Sequence, residues 1–331
     1  MRSGYRPNEP ERCAPLSNIS PMETIGQLAA RIDALAALVR AAPVSTALRD
    51  AYAALRLEEI AASSRLAGAS LDLVEVRALL ERGRALGGHR LTDYLIVRGY
   101  ADAAAWAAQH GTRRTPVTGA DLRTLHRLAT RGMSENAGAW RTRTVPPLAD
   151  GTVPPPHWMV PFETESYVGR LALGADEPAP TALARAIARL VRLQPFPDAN
   201  GRVARLVANL LAYRRGLPPL IFDARGRRSY DGALRAALAG DVAPLARSVA
   251  RSLTRGLERL RDAVEATEEL RPLADFRGAG TPDRLYKAAQ RGRLRVVRRG
   301  GRLFSTGHWI ADYQRRPRFD GPLDDQTRIR K

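Results

Sequence analysis

The chain has a single cysteine, Cys13, among 331 residues. No internal disulfide can form, and a cysteine-built zinc site is excluded. A reducing compartment suits such a chain, and a cytoplasmic location is expected. Lysine is almost missing, with only Lys287 and Lys331. Aromatic residues make up just 6%. There are five histidines, and none stands at a Cys/His spacing that would hold a metal. No apolar run is long enough to span a membrane, so no membrane partner is expected. Residues 1–21 are polar and proline-bearing and lack the apolar stretch of a signal peptide.

What is abundant is arginine. The formal net charge is +19, from 53 basic and 34 acidic residues. Residues 271–331 hold 16 of the basic and 6 of the acidic residues, so they carry about half of the excess. Such a concentration suits a polyanionic partner. With 44% hydrophobic residues, the chain can bury a full core and has the length for more than one domain.

Helical periodicity dominates. Ile25, Leu28, Ile32, Leu35 and Leu38 recur at helical spacing over residues 22–42. A second helix is expected over 45–62, with Ser45 as N-cap. Further helices are expected over 71–81, in one or two pieces over 91–110, and from 118. Residues 142–145 favour extended structure and are surrounded by Pro146, Pro147, Gly151 and Pro154, so a small hairpin is expected there. Helix returns over 160–173. The segment 181–216 reads as a helix pair, and helices over 228–239 and 242–264 close the bundle.

Between the paired helices runs Gln194, Pro195, Phe196, Pro197, Asp198, Ala199, Asn200, Gly201, Arg202, and, after two apolar residues, Arg205. The prolines stop the first helix. The second helix opens with free N–H groups and the positive end of its dipole, which together favour an anion. Arg202 and Arg205 share a helix face. Asp198 offers an oxygen ligand for Mg²⁺ beside a bound phosphate.

This run resembles the signature loop of the Fic/Doc (Fido) family, usually His-x-Phe-x-Asp/Glu-Gly-Asn-Gly-Arg-x-x-Arg. Phe196, Asp198, Asn200, Gly201, Arg202 and Arg205 match in order and spacing. Gln194 stands at the family's catalytic histidine, and Ala199 where glycine is usual. The resemblance implies a domain that binds ATP–Mg²⁺ and transfers AMP to protein hydroxyls. Asp198 would hold the metal. Ala199, Asn200 and Gly201 would lie along the phosphates, with Arg202 and Arg205 gripping the β- and γ-phosphates. Gln194 cannot act as a base near neutral pH, and general-base catalysis is worth roughly 10²–10⁴-fold.

The similarity extends outward. Trp140, Arg141, Thr142 and Val145 look like the family's flap, which docks a target protein as an added strand. Tyr230 looks like the aromatic residue near the nucleotide base. Ser63, Ala67 and Gly68 are similar to an inhibitory motif Ser/Thr-x-x-x-Glu-Gly/Asn, with Ala67 at the glutamate position.

Beyond residue 272, a helix over 281–292 capped by Thr281 and Pro282 is followed by two short strands around Arg298, Arg299, Gly300, Gly301 and Arg302, then a helix over 308–313. This order resembles the winged helix-turn-helix of excisionase and MerR-type proteins. Arg284, Lys287 and Arg291 would face a duplex DNA groove, and Arg298, Arg299 and Arg302 would meet phosphate from the wing.

The sequence thus reads as mostly α: a Fic-type helical bundle with a small hairpin flap and a C-terminal winged-helix-like domain. The expected divisions are an arm over 1–20, N-terminal helices over 21–112, the Fic domain over 113–264, a linker over 265–272, a basic domain over 273–316 and a disordered tail over 317–331. The leading expectation is an ATP–Mg²⁺-binding domain with AMP transfer absent or reduced, coupled to DNA. Two alternatives stay open. One is an active adenylyltransferase that uses a substitute base such as His157. The other is a DNA-binding regulator that uses the Fic fold as a scaffold for a homodimer.

Overall fold

The computed structural model describes residues 23–113, 115–148, 150–173, 177–222, 226–267, 270–276, 280–291, 293–299 and 301–315. The expected N-terminal arm and C-terminal tail lie outside them. The chain divides into two units, one of residues up to Ala42 together with Asp50–Leu260, the other of Pro43–Arg49 together with Arg261 onward.

The helices start where the sequence supplies a cap. Helix α1 (Ile25–Ala41) and helix α3 (Leu73–Arg82) open on reciprocal capping boxes, Thr24 with Gln27 and Asp72 with Glu75. Asp72 therefore sets the start of α3 two residues later than apolar spacing suggests. In helix α2 (Thr46–Leu66), Ser45 Oγ accepts from the Leu48 N–H at 3.1 Å, as expected of an N-cap. Helix α4 (Leu91–Gly111) is one continuous helix, and helix α5 (Gly119–Ala129) is capped by Thr118 with Asp121.

The core of the first unit is the pair α7 (Ala179–Leu193) and α8 (Asn200–Arg214). Leu183, Ile187, Leu190, Phe196, Val203, Leu206 and Val207 are buried between them and their neighbours. Helix α4 packs against both α5 and α8. Its glycines allow the approach. A Cβ at Gly99 would sit 2.8 Å from the Leu128 carbonyl oxygen, and one at Gly111 would sit 2.5 Å from Tyr213 Cβ. Helices α6 (Val160–Leu173), α9 (Arg227–Leu238) and α10 (Ala243–Thr267) complete the element order.

Two expectations take a different form. The hairpin expected after Thr142 contains no strand among the described residues. The chain turns instead at Leu148, whose N–H donates to the Thr152 carbonyl at 2.8 Å. The flanking prolines remove the donors that a ladder would need. The linker expected over 265–272 is partly structured. Leu253, Leu257, Leu260 and Val264 continue one apolar stripe, and no proline intervenes before Pro272, so α10 runs to Thr267.

The second unit has its own small core of Leu273, Leu285, Ala288, Leu294 and Ile310, with Phe276, Leu303 and Trp309 packed around it. Strand β1 (Arg271–Pro272) and strand β2 (Val297–Arg299) flank strand β3 (Arg302–Ser305) in an antiparallel sheet ordered β1-β3-β2. Val297 pairs with Phe304 and Arg299 with Arg302. Gly301, with φ +77°, makes the turn between β2 and β3 that the glycine pair predicts. Helix α11 (Pro282–Gln290) and helix α12 (Gly307–Arg315) flank the β2–β3 hairpin in sequence.

Because the groups facing Gly99 are backbone atoms, an added methyl cannot be absorbed by a rotamer change. Gly99→Ala is expected to destabilise the first unit by about 1–3 kcal/mol, read as a lower urea midpoint at unchanged slope.

Candidate active site

The loop between α7 and α8 is shaped by two residues in the left-handed region, Gln194 at φ 47° and Ala199 at φ 55°. For side chains with a Cβ this conformation costs about 1–2 kcal/mol each. Asn200 holds it in place. Its Oδ1 accepts from the Phe196 N–H at 3.0 Å, and its Nδ2 donates to the Phe196 carbonyl and to Gln194 Oε1, both at 2.9 Å. Gln194 Nε2 donates in turn to the Val191 carbonyl at 2.7 Å. The Gln194 amide is thereby folded onto its own helix end, with donor and acceptor both engaged.

Helix α8 has no side-chain N-cap, so its first N–H groups are left for another acceptor. A Cβ at Gly201 would meet only Arg205 Nη1, at 3.5 Å, so the helix entrance is open. The two arginines are less free than their spacing suggests. Arg202 Nη1 donates to the Ala129 carbonyl at 2.7 Å, and burial draws the basicity of this guanidinium down. Arg205 is buried. Its Nε donates to Ser63 Oγ at 2.6 Å and its Nη2 to the Ser63 carbonyl at 3.1 Å. Nη1, the nitrogen beside Gly201, has no such bond to Ser63. The similarity of residues 63–68 to an inhibitory motif thus falls on residues that meet the loop at one point, Ser63. Ala67 and Gly68 close α2, with Gly68 at φ +98°.

Asp198 sits at the lip of the loop with its side chain half exposed. A hydrogen bond from His126 holds its carboxyl below the usual carboxylate range. The spacing of Leu122, Leu125 and His126 places His126 on an inward helix face, and it is fully buried. Its contact with Asp198, 3.2 Å from Nε2 to Oδ1, is not legible in the sequence. Nδ1 accepts the Gly138 N–H at 2.9 Å, so in the neutral ring the proton belongs to Nε2 and points at Asp198. The ring stacks on Phe196 with centroids 4.1 Å apart, and Trp140 tilts against Phe196 at 4.9 Å.

Among the described residues no group of three or more His, Cys, Asp or Glu could hold a metal. Asp198 alone offers a half-exposed carboxylate. That suits Mg²⁺ arriving with phosphate oxygens rather than an all-protein cage. The uncapped helix entrance and the open space at Gly201 fit the triphosphate of such a ligand.

The flap residues divide. Arg141 was expected to serve target docking, but it is buried and bound to three carbonyls. It donates to Gln194 O at 2.6 Å, to Arg143 O at 3.0 Å and to Pro155 O. Its guanidinium ties the flap to the loop and is not available to a partner. Thr142 is exposed, and Val145 and Trp140 are half-buried. Tyr230 is buried, 4.8 Å from the Phe222 ring, and its hydroxyl has no partner among the described residues. In the second unit Arg284, Lys287, Arg291, Arg298 and Arg302 are exposed, while the Arg299 side chain lies outside the described set.

Behind the loop is a buried polar cluster that sequence reasoning missed. Glu59 is buried and its Oε1 accepts from Tyr100 at 2.5 Å and from Asn209 at 2.9 Å. Burial raises its pKa to about 7, partly offset by Tyr100 and by the charge of Arg205. Glu59 lies one helical turn before Ser63, so both ends of this cluster are set by α2.

Residues 116–212 match the model of the Fic/DOC family. The chain is 28% identical over 242 residues to the protein adenylyltransferase Fic of Nematostella vectensis, covering 71% of this chain and 54% of that protein. It is 26% identical over 253 residues to the protein adenylyltransferase Fic of Drosophila mojavensis, covering 72% and 47%. The chain thus spans about half the length of these curated relatives. Among solved structures, Fic-1 (residues 134–508) from Caenorhabditis elegans superposes with a TM-score of 0.65 at 26% identity, covering 72% of this chain and 71% of that one. A Fic domain containing signaling protein from Bacteroides thetaiotaomicron gives 0.64 at 22% identity, covering 73% and 97%, and shows likeness of fold alone.

Glu59 yields a pH signature. Its folded-state pKa of about 7 lies above the ordinary 4.5, so the folded protein binds more protons across that window. Stability should therefore fall as pH rises from 4.5 to 7, by about 3 kcal/mol from this group, and level off above. Glu59→Gln should remove that slope, measured by urea unfolding at a series of pH values.

Proposed function

We propose that this chain, which carries a Fic/DOC family domain, binds ATP–Mg²⁺ at the loop between α7 and α8 but transfers AMP to protein hydroxyls weakly or not at all. The observation that carries the reading is the loop itself. Asp198 stands at the lip, the entrance of α8 is uncapped and open at Gly201, and two guanidiniums are anchored beside it. These are the parts that the adenylyltransferase relatives lead one to expect around a triphosphate.

Transfer requires a hydroxyl oxygen to bond the α-phosphorus while pyrophosphate leaves, and its proton must go to a base. At position 194 the acceptor is an amide, which does not titrate near pH 7 and whose two polar atoms are already bonded to Asn200 and Val191. Of the histidines, His126 bonds the loop directly through Asp198, yet its ring is enclosed between Gly138, Asp198 and Phe196. The Ser63–Arg205 contact supports a second restraint, because it commits two of the three guanidinium nitrogens of Arg205 before a nucleotide arrives.

We further propose that the second unit binds duplex DNA. The support is its own core, its basic hairpin, and the exposed Arg284 and Lys287 on α11 with Arg291 at its C-cap.

Gln194→His is expected to raise AMP transfer, seen as self-labelling from α-labelled ATP, by roughly the 10²–10⁴-fold that a general base supplies. The gain should vanish when Asp198→Ala is added. A histidine variant that binds ATP but labels no protein, or a wild-type chain that already labels strongly, would overturn the assignment to Gln194. For the second proposal, DNA affinity should fall steeply with salt. If about five phosphates are neutralised, log K against log salt has a slope of roughly −4 to −5. Unchanged DNA binding after deletion of residues 271–331 would refute the DNA assignment.

A further inference from the structure

A cavity of about 600 Å³ opens between α6, α7, the end of α9 with the turn that follows it, and the segment at Val153 and Pro155. Its lining ends at Leu193, the residue before the signature loop, and includes none of the loop residues 194–205. Four arginines line it against one carboxylate. Arg170 comes from α6, and Arg185, Arg189 and Arg192 come from successive turns of α7. Glu163 is the acid.

The arrangement follows from the helices. On α7 the positions 185, 189 and 192 lie at i, i+4 and i+7, on the face opposite the buried stripe of Leu183, Ile187 and Leu190. On α6, Glu163, Tyr167 and Arg170 recur at i, i+4 and i+7, and the Tyr167 hydroxyl bonds the Ala186 carbonyl at 3.1 Å, which fixes the two helices against each other. Ala188, Leu193, Ala237 and Val242 give the remaining wall an apolar character.

The guanidiniums are incompletely matched by protein groups. Arg185 pairs with Glu177 at 2.8 Å, while its Nε is buried with no partner. Arg192 donates to the Leu238 carbonyl, a neutral acceptor. Arg170 and Arg189 have no hydrogen bond or ion pair among the described residues. Burial lowers the basicity of Arg189, and the neighbouring charges of Arg185 and Arg170 lower it further against a smaller opposing effect of Glu177, so the cations lie near enough to repel one another. Converging cations in a concave site focus positive potential, and the guanidinium fork suits phosphate oxygens bidentately.

We propose that this cavity is a second anion site, separate from the loop, and that it takes a polyphosphorylated small molecule with an apolar portion, the chemistry of a nucleoside polyphosphate. The phosphates neutralise Arg170, Arg185 and Arg189, and the apolar portion lies against Ala188, Ala237 and Val242. The volume of about 600 Å³ lies in the range of small-molecule sites, which favours a small molecule over an acidic peptide.

The test uses inorganic tripolyphosphate and calorimetry on the full chain at near-physiological salt. In a background carrying Arg202→Ala and Arg205→Ala, a saturable isotherm should persist. Adding Arg170→Glu and Arg189→Glu should weaken it by about tenfold or more. Should the charge-reversal protein fail to fold, wild type offers a second readout: tripolyphosphate should protect Arg185 and Arg189 from modification by phenylglyoxal in a peptide map. Loss of all saturable binding with the loop arginines removed, affinity unchanged by charge reversal, or absence of protection would each overturn the proposal. So would a poly-glutamate peptide that binds the cavity more tightly than tripolyphosphate.

Discussion

The side chain of Asn200 bridges the end of one core helix and the start of the next. Its amide satisfies the Phe196 N–H and carbonyl and Gln194 Oε1 at once, which closes a tight loop with little backbone pairing of its own. The placement of the other site groups follows from that closure. Phe196 is turned into the core, where it meets His126 and Trp140. Asp198 is left at the lip, within reach of His126. Arg141 then reaches from the flap to the Gln194 carbonyl and locks the second side of the loop. A buried amide with its bonding capacity filled specifies one geometry, because any other leaves polar atoms without partners.

Much of this could be read from residue types. Prolines at 195 and 197 and the change of periodicity around them locate the loop, and the apolar stripes on either side locate α7 and α8. Glycine is usual at position 199 in the loop that this one resembles, and the alanine there takes a left-handed φ of 55°. Several contacts could not be read in advance. The bond between His126 and Asp198 joins residues 72 positions apart. The bonds between Arg205 and Ser63 join residues 142 positions apart. Periodicity tells which face of a helix is inward, but not which neighbour waits there. Arg141 is the clearest case. As a charged residue in a segment expected to be a flap it suggests a surface contact, yet three backbone carbonyls surround it, and three unsatisfied acceptors are a stronger claim on a guanidinium than water.

Arginine also shapes the rest of the chain. With lysine nearly absent, structural and surface roles fall to the same side chain. Buried Arg205 and Arg141 and half-buried Arg202 serve as donors to carbonyls and a hydroxyl, roles that a planar fork with five N–H groups performs and an ammonium does poorly. The exposed arginines of α11 and the hairpin point the same group at solvent. Net charge alone therefore says little about where this chain is electropositive. The hydrogen-bond accounting of each guanidinium says much more.

The left-handed residues at both ends of the loop have a consequence for affinity. A glycine-rich phosphate loop is loose when empty and surrenders conformational freedom on binding. Here an alanine and a glutamine occupy the two positive-φ positions, and the side-chain amides of Gln194 and Asn200 brace the loop at Gln194 and Phe196. The freedom is given up during folding, at the expense of global stability, and little remains to be lost when an anion arrives. A loop of this kind behaves as a rigid mould: its selectivity is set by fit, and a ligand of the wrong shape cannot coax it into adapting.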